Sequence, residues 1–483
     1  MRGHVGAAAL AAVMATALIG TASAEVVAVT DAGELREAVE HAAAGHVIEL
    51  APGVYDVAGN IWCTVAGTAD APIVVRAQAP GDARIRFDAV EGFVVAAPYW
   101  TFESLDIEGV CVTHDACEHA FHVVGAADHT TIRGNVLHEF NAMIKGNGSG
   151  EPYEWPDDVL IEGNELFNST PRSTSSPVTP IDVVGGRRWV VRSNFIRDFA
   201  KVGGDDISYA AFLKGNSRDG VFEGNLVVCE LLHSGGVRLG LSFGGGGSGP
   251  DSICEDGTCT PEHQDGIMRN NVIVNCPADV GIYVNEGQDV RIVNNTLFRT
   301  TGIDVRFAAT SADVRNNILS GAVRARDGAT LSAGTNLDGV SDEVFEAWFA
   351  DPGGADLGLV DGSAFVDLGE TLADVTDDFC GNDRDDGRTD IGAVEYDGDG
   401  PCDTTRPGWR VQDGEDAGPD GDADADADAD ADSDADADAG ADADASATPS
   451  NDGCGCAAPG RSSTAPGLLV LTFLMAVARR RGV

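Results

Sequence analysis

The chain has 483 residues and carries 78 acidic against 31 basic side chains, a formal net charge of −47. This balance excludes nucleic acid as an expected partner, because binding to phosphates needs a basic surface. With 61 glycines, 6% aromatic residues and few long apolar helical periods, the composition indicates a turn-rich β protein rather than a helical bundle.

The first 24 residues have the pattern of a secretory signal peptide. A basic start at Arg2 precedes an apolar stretch from Val5 to Gly20, and Ala-Ser-Ala ends at Ala24. We expect segment 1–24 to be removed and the protein to be exported, either to the cell surface and outer membrane or to the medium. An oxidising compartment favours disulfides over thiolate ligands.

A helix is predicted shortly after the signal peptide. Asp31 can cap its N-terminus, and Glu34 occupies the capping-box position. The apolar stripe of this helix consists of Leu35, Ala38, Val39 and Ala42. We expect the helix to cover the open end of a β structure, since exposed strand edges invite pairing with other chains.

The nine cysteines from Cys63 to Cys402 leave one without a partner. The pairs that could form disulfides are Cys111 with Cys117, Cys254 with Cys259, Cys229 with Cys276, and Cys380 with Cys402. Cys63 would then remain free, although spacing alone does not fix the connectivity. Zinc is the alternative near the first pair, with ligands among Cys111, His114, Cys117, His119 and His122, but that spacing matches no standard site.

An internal repeat is marked by asparagines 22 to 46 residues apart. These asparagines are Asn135, Asn164, Asn194, Asn225, Asn271, Asn295 and Asn317. Apolar residues stand three positions before them, at Ile132, Ile161, Val191, Phe222, Met268, Ile292 and Val314, and two positions after them, at Leu137, Leu166, Ile196, Val227, Ile273, Leu297 and Leu319. Each asparagine tolerates a left-handed turn, and we expect its amide to hydrogen-bond to the asparagine of the next repeat.

A second set of strands precedes most of these asparagines. Superposing segments 142–145, 181–184, 211–214, 235–238, 282–285 and 303–306 places Ile144, Val183, Leu213, Val237, Val284 and Val305 inward. Short strands in such repeats predict an all-β fold, a right-handed parallel β-helix solenoid with an N-terminal capping helix. A propeller would need four antiparallel strands per repeat, more than these repeats hold.

Several segments resemble pectate-lyase-like β-helix proteins. The resemblance lies in 45–55, 71–76 and 100–107 for the early coils, and in Asp378, Gly381, Arg384 and 390–395 for the segment that closes such proteins. It covers roughly residues 25–396, and we assign 25–400 to the β-helix domain. A resemblance of this kind specifies a fold better than an activity.

Two outward columns of side chains differ in their charges. In the first, Arg133, Glu162, Arg192, Glu223, Arg269, Val293 and Arg315 mostly alternate in sign, which predicts a structural ladder of ion pairs. The second contains no acid and consists of Lys145, Val184, Lys214, Arg238, Asn285 and Arg306. Beside it we expect His122, Met143, Asp182, Phe212, Gly236, Tyr283 and Asp304.

The second column and its neighbours predict a binding platform for an acidic polysaccharide, because cations lie beside aromatic and polar groups. The alternative is that carboxylates in flanking loops, such as Asp205 and Asp206, neutralise it. Arg238 on the adjacent strand and apolar Val184 on the other side would both favour the neutral form of Lys214. The glycine run 244–249 opens an insertion that we expect to border the cleft beside Arg238.

The segment 212–225, followed by 235–238, is similar to the Lys and Arg region of the alginate lyase and chondroitinase B family. This resemblance implies β-elimination from a uronic acid, with Lys214 as base, Arg238 as acid and Ca²⁺ bridging the substrate carboxylate. Asp205, Asp206 and Asp182 are the candidate Ca²⁺ ligands. A β-helix that binds glycans without turnover is the alternative, and a hydrolase ranks below both because Asp182 and Asp304 are too far apart.

The C-terminal part of the chain has a different composition. From Val411 to Asp452 there are 16 acids and no base, mostly in an Asp-Ala alternation, so we expect an extended spacer over 401–453. Segment 454–483 contains Cys454-Gly-Cys456, an apolar segment of 13 residues from Pro466 to Ala478 and then the run Arg479-Arg480-Arg481, and it resembles C-terminal sorting signals of myxobacterial surface proteins. A plain membrane anchor is the alternative. We expect sorting or membrane machinery as a partner, and a monomer.

Overall fold

The structure is a computed structural model that describes residues 25–245, 248–249, 253–384, 387–396 and 402–405. The chain divides into two units, Met1–Asp416 and Ala417–Val483, and every described residue belongs to the first. The predicted signal peptide, spacer and sorting segment lie outside the described residues, apart from the few at 402–405. None of the helices in the described part is both long and apolar enough to cross a membrane.

The described chain forms a right-handed parallel β-helix, as predicted, in which three sheets run along the stack of coils. Sheet A contains Glu25–Val29, His46–Leu50, Ile73–Ala77, Trp100–Glu103, Thr131–Arg133, Leu160–Glu162, Val190–Arg192, Val221–Glu223, Ile267–Arg269, Val290–Val293, Ser311–Arg315 and Thr330–Gly334. Sheet B contains Gly53–Ala58, Ala83–Asp88, Asp106–Gly109, Val136–His138, Glu165–Phe167, Phe195–Arg197, Leu226–Val228, Val272–Cys276, Thr296–Thr300 and Ile318–Leu319.

Sheet C carries the predicted platform. Its strands are Ile61–Cys63, Glu91–Val95, His119–Val124, Ile144–Asn147, Ile181–Val184, Ile207–Lys214, Val237–Phe243, Ile282–Asn285, Gly302–Arg306 and Ala322–Arg326. Short parallel pairings at the corners join Arg172–Ser173 to Lys201–Val202, and join Ser217–Arg218, His263–Gln264 and Gly287–Gln288. An antiparallel pair consists of Phe349–Asp351 and Asp356–Leu359.

The asparagine ladder lies at the corner between sheets A and B. Each predicted asparagine donates from Nδ2 to Oδ1 of the next over 2.9 to 3.0 Å, and Asn317 extends the ladder to Asn336, which the repeat did not reveal. The left-handed residue is the one before each asparagine, for example Ser193 at φ 53° and Asn270 at φ 56°. The apolar positions predicted on both sides of the ladder are all buried and fill the coil interior.

The predicted ion ladder follows the outer face of sheet A. Arg133 pairs with Glu103, and Arg192 pairs with Glu162 at 2.7 Å. Further along the stack, the Arg269 guanidinium contacts the Glu223 carboxylate at 2.6 Å. These arginines are partly exposed and serve to hold neighbouring coils together.

The two helices cover different parts of the stack. Ala32–Glu40 begins at Asp31, whose carboxylate accepts from the Glu34 backbone N–H at 2.9 Å, and it buries Leu35 and Val39 against the first coil. The second helix, Asp342–Trp348, belongs to a C-terminal segment whose aromatic core packs on the outer face of sheet B. The predicted closing segment is part of this layer, and it therefore lies along the side of the stack.

All four predicted disulfides are present: Cys111–Cys117, Cys229–Cys276, Cys254–Cys259 and Cys380–Cys402. Cys63 is free and buried, as predicted, and burial raises the pKa of its thiol well above the usual value. The first disulfide removes two of the candidate zinc ligands.

Candidate functional site

The outer face of sheet C presents two parallel columns of side chains, fixed by the strand register. Column 1 contains Trp62, Val94, His122, Lys145, Asp182, Phe212, Ser242, Tyr283, Asp304 and Arg324. Column 2 lies two residues further along each strand and contains Val124, Asn147, Val184, Lys214, Asn285, Arg306 and Arg326.

Lys145 lies in column 1, so the prediction that it shares a column with Lys214 is wrong. The strand begins at Ile144, two residues later than predicted, and this brings Lys145 directly opposite Asp182. The Lys145 ammonium donates to the Asp182 carboxylate over 2.6 Å. The expected stripe of uncompensated cations is therefore interrupted by an ion pair.

Arg238 does not lie beside Lys214, which corrects the second predicted catalytic residue. The register pairs Arg238 with Ser208, six residues before Lys214, which amounts to about 20 Å along the strand. The Arg238 side chain is 1% exposed and donates to the backbone carbonyls of Cys229 and Gly235. Burial lowers the pKa of its guanidinium, and its contacts tie it to a corner of the fold.

The reason for this error lies in the start of the strand. Gly235 and Gly236 adopt left-handed conformations, with φ of 95° and 75°, so the strand begins only at Val237. It then runs to Phe243, which takes the inward position that we had assigned to Val237.

Lys214 lies at the centre of the stack, at the end of its strand, and is partly exposed. Its Nζ lies 4.5 Å from the centroid of the Phe212 ring. Burial lowers the pKa of the Lys214 ammonium and the charge of Lys145 adds to the effect, while the carboxylates of Asp182 and Glu262 oppose it. The amine therefore loses its proton more easily than an exposed lysine does.

Lysine is rare in this chain, which gives Lys214 further significance. Of the 31 basic residues only three are lysines, namely Lys145, Lys201 and Lys214. Arginine supplies the ion pairs of sheet A, but its guanidinium does not deprotonate in proteins, whereas a lysine amine can. Two of the three lysines, Lys145 and Lys214, lie on the outer face of sheet C, and an amine there could exchange a proton with a ligand bound to that face.

His122 forms the next part of column 1. Its Nδ1 lies 2.7 Å from the Glu91 carboxylate and its Nε2 lies 2.7 Å from Oδ1 of Asn147. The Asn147 amide is oriented by donation of its Nδ2 to the carbonyl of Gly148. Both ring nitrogens therefore have hydrogen-bond partners, and the hydrogen bond with His122 lowers the pKa of Glu91.

The far end of the platform is rich in arginine. Asp304 receives one guanidinium hydrogen bond from Arg324 at 2.6 Å and one from Arg326 at 2.5 Å. Arg306 pairs with Asp327 and hydrogen-bonds to Tyr283, while burial raises the pKa of the Tyr283 hydroxyl. Asn285, beside Arg306 in column 2, is 7% exposed.

The two carboxylates of column 1 are less exposed than the cations with which they pair. The Asp182 and Asp304 side chains are 6% and 3% exposed. The cationic side chains above them are more accessible, at 20% for Lys145 and 42% for Arg324. At these two positions the cation is therefore the group that meets solvent.

The predicted Ca²⁺ ligands are not brought together. Asp205 pairs with Lys201, and Asp206 accepts from the Gly203 backbone N–H at 2.9 Å. Asp182 lies opposite Phe212, six residues after Asp206, and is paired with Lys145. Within the described ranges, no group of three or more His, Cys, Asp or Glu side chains is placed to hold a metal ion, so these residues do not fit the expected calcium site.

The insertion that follows the strand Val237–Phe243 contacts Lys214, whereas the sequence predicts that it borders Arg238. Gly245 packs against the side chains of Lys214 and Phe212. Glu262, which the repeat did not single out, is 2% exposed and accepts from the Gly215 backbone N–H at 2.7 Å. The only hint of its position in the sequence is that it ends the insertion.

Trp62 is a further platform residue that sequence reasoning missed. It lies in column 1 opposite Val94 and is 47% exposed. An exposed tryptophan on a strand that alternates with buried residues could have revealed it, since such rings commonly contact ligands.

Comparisons with known proteins bear on the fold. No family model matches the chain, and no curated protein matches it. Among solved structures, an alginate lyase from Paenibacillus sp. str. FPU-7 is 16% identical, with a TM-score of 0.43, covering 66% of this chain and 97% of that one. Pectate lyase Pel9A is 16% identical, with a TM-score of 0.48, covering 74% and 90%. A rhamnogalacturonan lyase is 14% identical, with a TM-score of 0.45, covering 66% and 84%.

Proposed function

We propose that the protein cleaves an acidic polysaccharide by β-elimination on the outer face of sheet C. The observation that carries this proposal is the position of Lys214, a partly buried amine of lowered pKa among accessible cationic groups. Such a group can accept a proton from a carbon beside a carboxylate, provided that the carboxylate is held by nearby cations.

The proposed step uses the residues of this face. Lys214 in its neutral form takes the proton from the carbon next to the uronate carboxyl, and the electron pair forms the new carbon–carbon double bond. The bond to the glycosidic oxygen breaks, and the leaving oxygen takes its proton from the Lys214 ammonium. Because Arg238 lies about 20 Å away along the sheet, one lysine serves as both base and acid.

Lys145 is the group that we assign to the substrate carboxylate. Its ammonium has three N–H bonds, and the described contacts use one of them, to Asp182. Of the other predicted contacts, His122 and Arg306 lie along the same two columns, whereas Phe212, Tyr283 and Asn285 are at most 7% exposed and support the face from beneath. Lys145 is paired with Asp182, whereas burial lowers the pKa of Lys214, so we assign the role of base to Lys214.

The test is a panel of alginate, pectate and glycosaminoglycans, with the absorbance of the unsaturated uronate as readout. The wild-type protein should generate this absorbance on at least one polymer, and Lys214→Met should abolish it while the protein stays folded. Absence of the absorbance on every polymer would contradict the proposal.

A glycan-binding protein without turnover is the second candidate. It is supported by the packing of Gly245 against Lys214, which restricts access to the amine, and by the ion pair that partly neutralises Lys145. Under this alternative the wild-type protein binds an acidic polymer without producing the absorbance, and Lys214→Met still binds it.

A further inference from the structure

A second cleft lies at the corner where sheet C turns toward sheet A. Its volume is about 370 Å³, within the range of small-molecule sites, and its walls come from three successive coils. Tyr153 and Trp155 supply aromatic surface, and Asp128, Asp157 and Glu255 supply carboxylates. None of these residues belongs to columns 1 and 2.

The two aromatic rings are held in place before any ligand binds. Their centroids lie 5.0 Å apart in an edge-on arrangement, and the Trp155 indole donates to the carbonyl of Ile253 over 3.2 Å. Gly148 and Gly185 make room for them, because a Cβ at either position would overlap the Trp155 ring. The Tyr153 side chain nevertheless stays 42% exposed, which leaves ring surface available to a ligand.

The polar groups of the cleft select against an acidic ligand. Among the described residues that line it, Arg187 is the one cationic residue, and it pairs with Glu255 at 3.1 Å. The Asp157 carboxylate accepts from the Arg187 backbone N–H, and burial raises its pKa. The Glu154 carboxylate has no hydrogen bond or ion pair with any described residue, so it can accept from a sugar hydroxyl. A uronate here would meet like charges at short range.

The cleft adjoins the Lys214 site through the backbone. Trp155 packs on Gly185, which follows Val184, the residue paired with Lys214. Glu255 accepts from the Gly186 N–H at 2.9 Å, and its own backbone N–H lies 3.5 Å from the carbonyl oxygen of Gly215. The walls of the cleft come from the coils that carry His122, Lys145 and Asp182, and Trp155 reaches the residue that follows column 2 in the coil of Asp182, which pairs with the coil of Lys214.

We infer that this cleft is a subsite for an uncharged sugar, and that the substrate is a heteropolysaccharide in which such a sugar stands beside the uronic acid. The presence of a uronic acid in the substrate rests on the proposed function. The presence of an uncharged sugar rests on the cleft alone. Aromatic faces stack on the apolar face of a sugar ring, and the carboxylates accept from its hydroxyls.

The test is calorimetric binding in the Lys214→Met background, where no cleavage disturbs the titration. The probes are hyaluronan oligosaccharides, which alternate glucuronate with N-acetylglucosamine, oligogalacturonates of equal length, and uncharged chitin oligosaccharides. We expect Tyr153→Ala to weaken binding of the hyaluronan and chitin oligosaccharides about three- to tenfold, because one aromatic contact is lost, and to leave binding of the oligogalacturonates unchanged. Tyr153→Phe keeps the ring and should bind as the parent does.

The outcomes separate this inference from the proposed function. The subsite is overturned if neither probe that contains an uncharged sugar binds, or if Tyr153→Ala leaves the binding of both unaffected. It is also overturned if Tyr153→Ala weakens the binding of oligogalacturonate equally. These results would hold even where the wild-type protein cleaves a polyuronate. If the uncharged probe binds in a Tyr153-dependent way while no acidic polymer is cleaved, the subsite stands and the lyase proposal falls.

Discussion

At the scale of single residues, the stability of the stack depends on buried asparagines. Asn194 uses both amide hydrogens and accepts twice at Oδ1, with contacts to Asn164, Asn225 and two backbone carbonyls. Such a residue satisfies polar groups of three coils at once. A missing amide leaves buried partners unpaired, which costs more than the hydrogen bonds themselves contribute.

We therefore expect Asn194→Ala to lower the free energy of unfolding by roughly 3 to 5 kcal/mol. Asn336→Ala, at the end of the ladder and partly exposed, is the matched control and should cost about 1 kcal/mol. Urea denaturation followed by circular dichroism measures both. Equal losses in the free energy of unfolding would show that burial of the asparagine does not determine its contribution to stability.

The pKa of Lys214 gives a prediction of pH dependence. Its folded pKa is lowered below the usual 10.5, so the unfolded state binds more protons between those two values. Stability contributed by this group is therefore gained as pH rises through that window, and the neutral base accumulates over the same range. We expect the cleavage rate to increase with pH, and Lys214→Met to melt at a higher temperature than wild type at neutral pH.

With only three lysines, the titration can be observed directly. Reductive methylation with ¹³C gives one signal set per lysine, and the Lys214 signal should titrate below pH 10.5, the usual value for a lysine. A Lys214 signal that titrates at or above this usual value would contradict the proposed role of Lys214 as base.

At the scale of elements, the register of the strand Val237–Phe243 decides what Arg238 does. We expect Arg238→Met to destabilise the protein by about 2 to 4 kcal/mol, because it leaves buried carbonyls unpaired. The rate per folded molecule should stay within about twofold, since Arg238 lies far from Lys214. If Arg238→Met folds and binds substrate but no longer cleaves it, Arg238 takes part in the reaction with Lys214, as the sequence predicts.

The sequence allowed sheets A and B to be predicted more reliably than sheet C. From Asn135 onward, each coil carries an asparagine at a fixed distance from the apolar residues of sheets A and B, so the register follows from the ladder. The strands of sheet C follow corners of variable length, and one of them follows two left-handed glycines. The alternation Val237, Leu239, Leu241, Phe243 was the signal for the correct register, and the resemblance of Gly235-Gly-Val-Arg238 to a catalytic segment concealed it.

The candidate site was predictable only in part for the same reason. His122, Asp182, Phe212, Tyr283 and Asp304 share a column as expected, because the pairing register of their strands agrees with the pattern. The ion pair of Lys145 required a register that periodicity could not supply. The aromatic cleft depends on a loop that folds onto glycines, a contact that leaves no periodic trace in the sequence.

At the scale of the whole molecule, the acidic charge works against the proposed substrate. Segment 25–410 contains 62 acids and 26 bases, so a polyanion must approach against a repulsive field before it meets the cations of sheet C. Salt screens this long-range repulsion more than it weakens contacts at close range.

We expect KM for an acidic polymer to fall as ionic strength rises from about 20 to about 150 mM, over which the Debye length shrinks from roughly 20 to 8 Å. Initial rates across a salt series measure this. A KM that rises with salt would mean that attraction by a basic surface dominates the approach of the substrate.

The most direct test of the central claim, that Lys214 acts as the base, is to compare Lys214→Arg with Lys201→Arg. Arginine keeps the positive charge but does not give up its proton, so Lys214→Arg should still bind an acidic polymer that the wild-type protein cleaves. Its production of unsaturated uronate should fall by about 10²- to 10⁴-fold, and Lys201→Arg should cleave at close to the wild-type rate. Cleavage by Lys214→Arg at the wild-type rate would contradict the account.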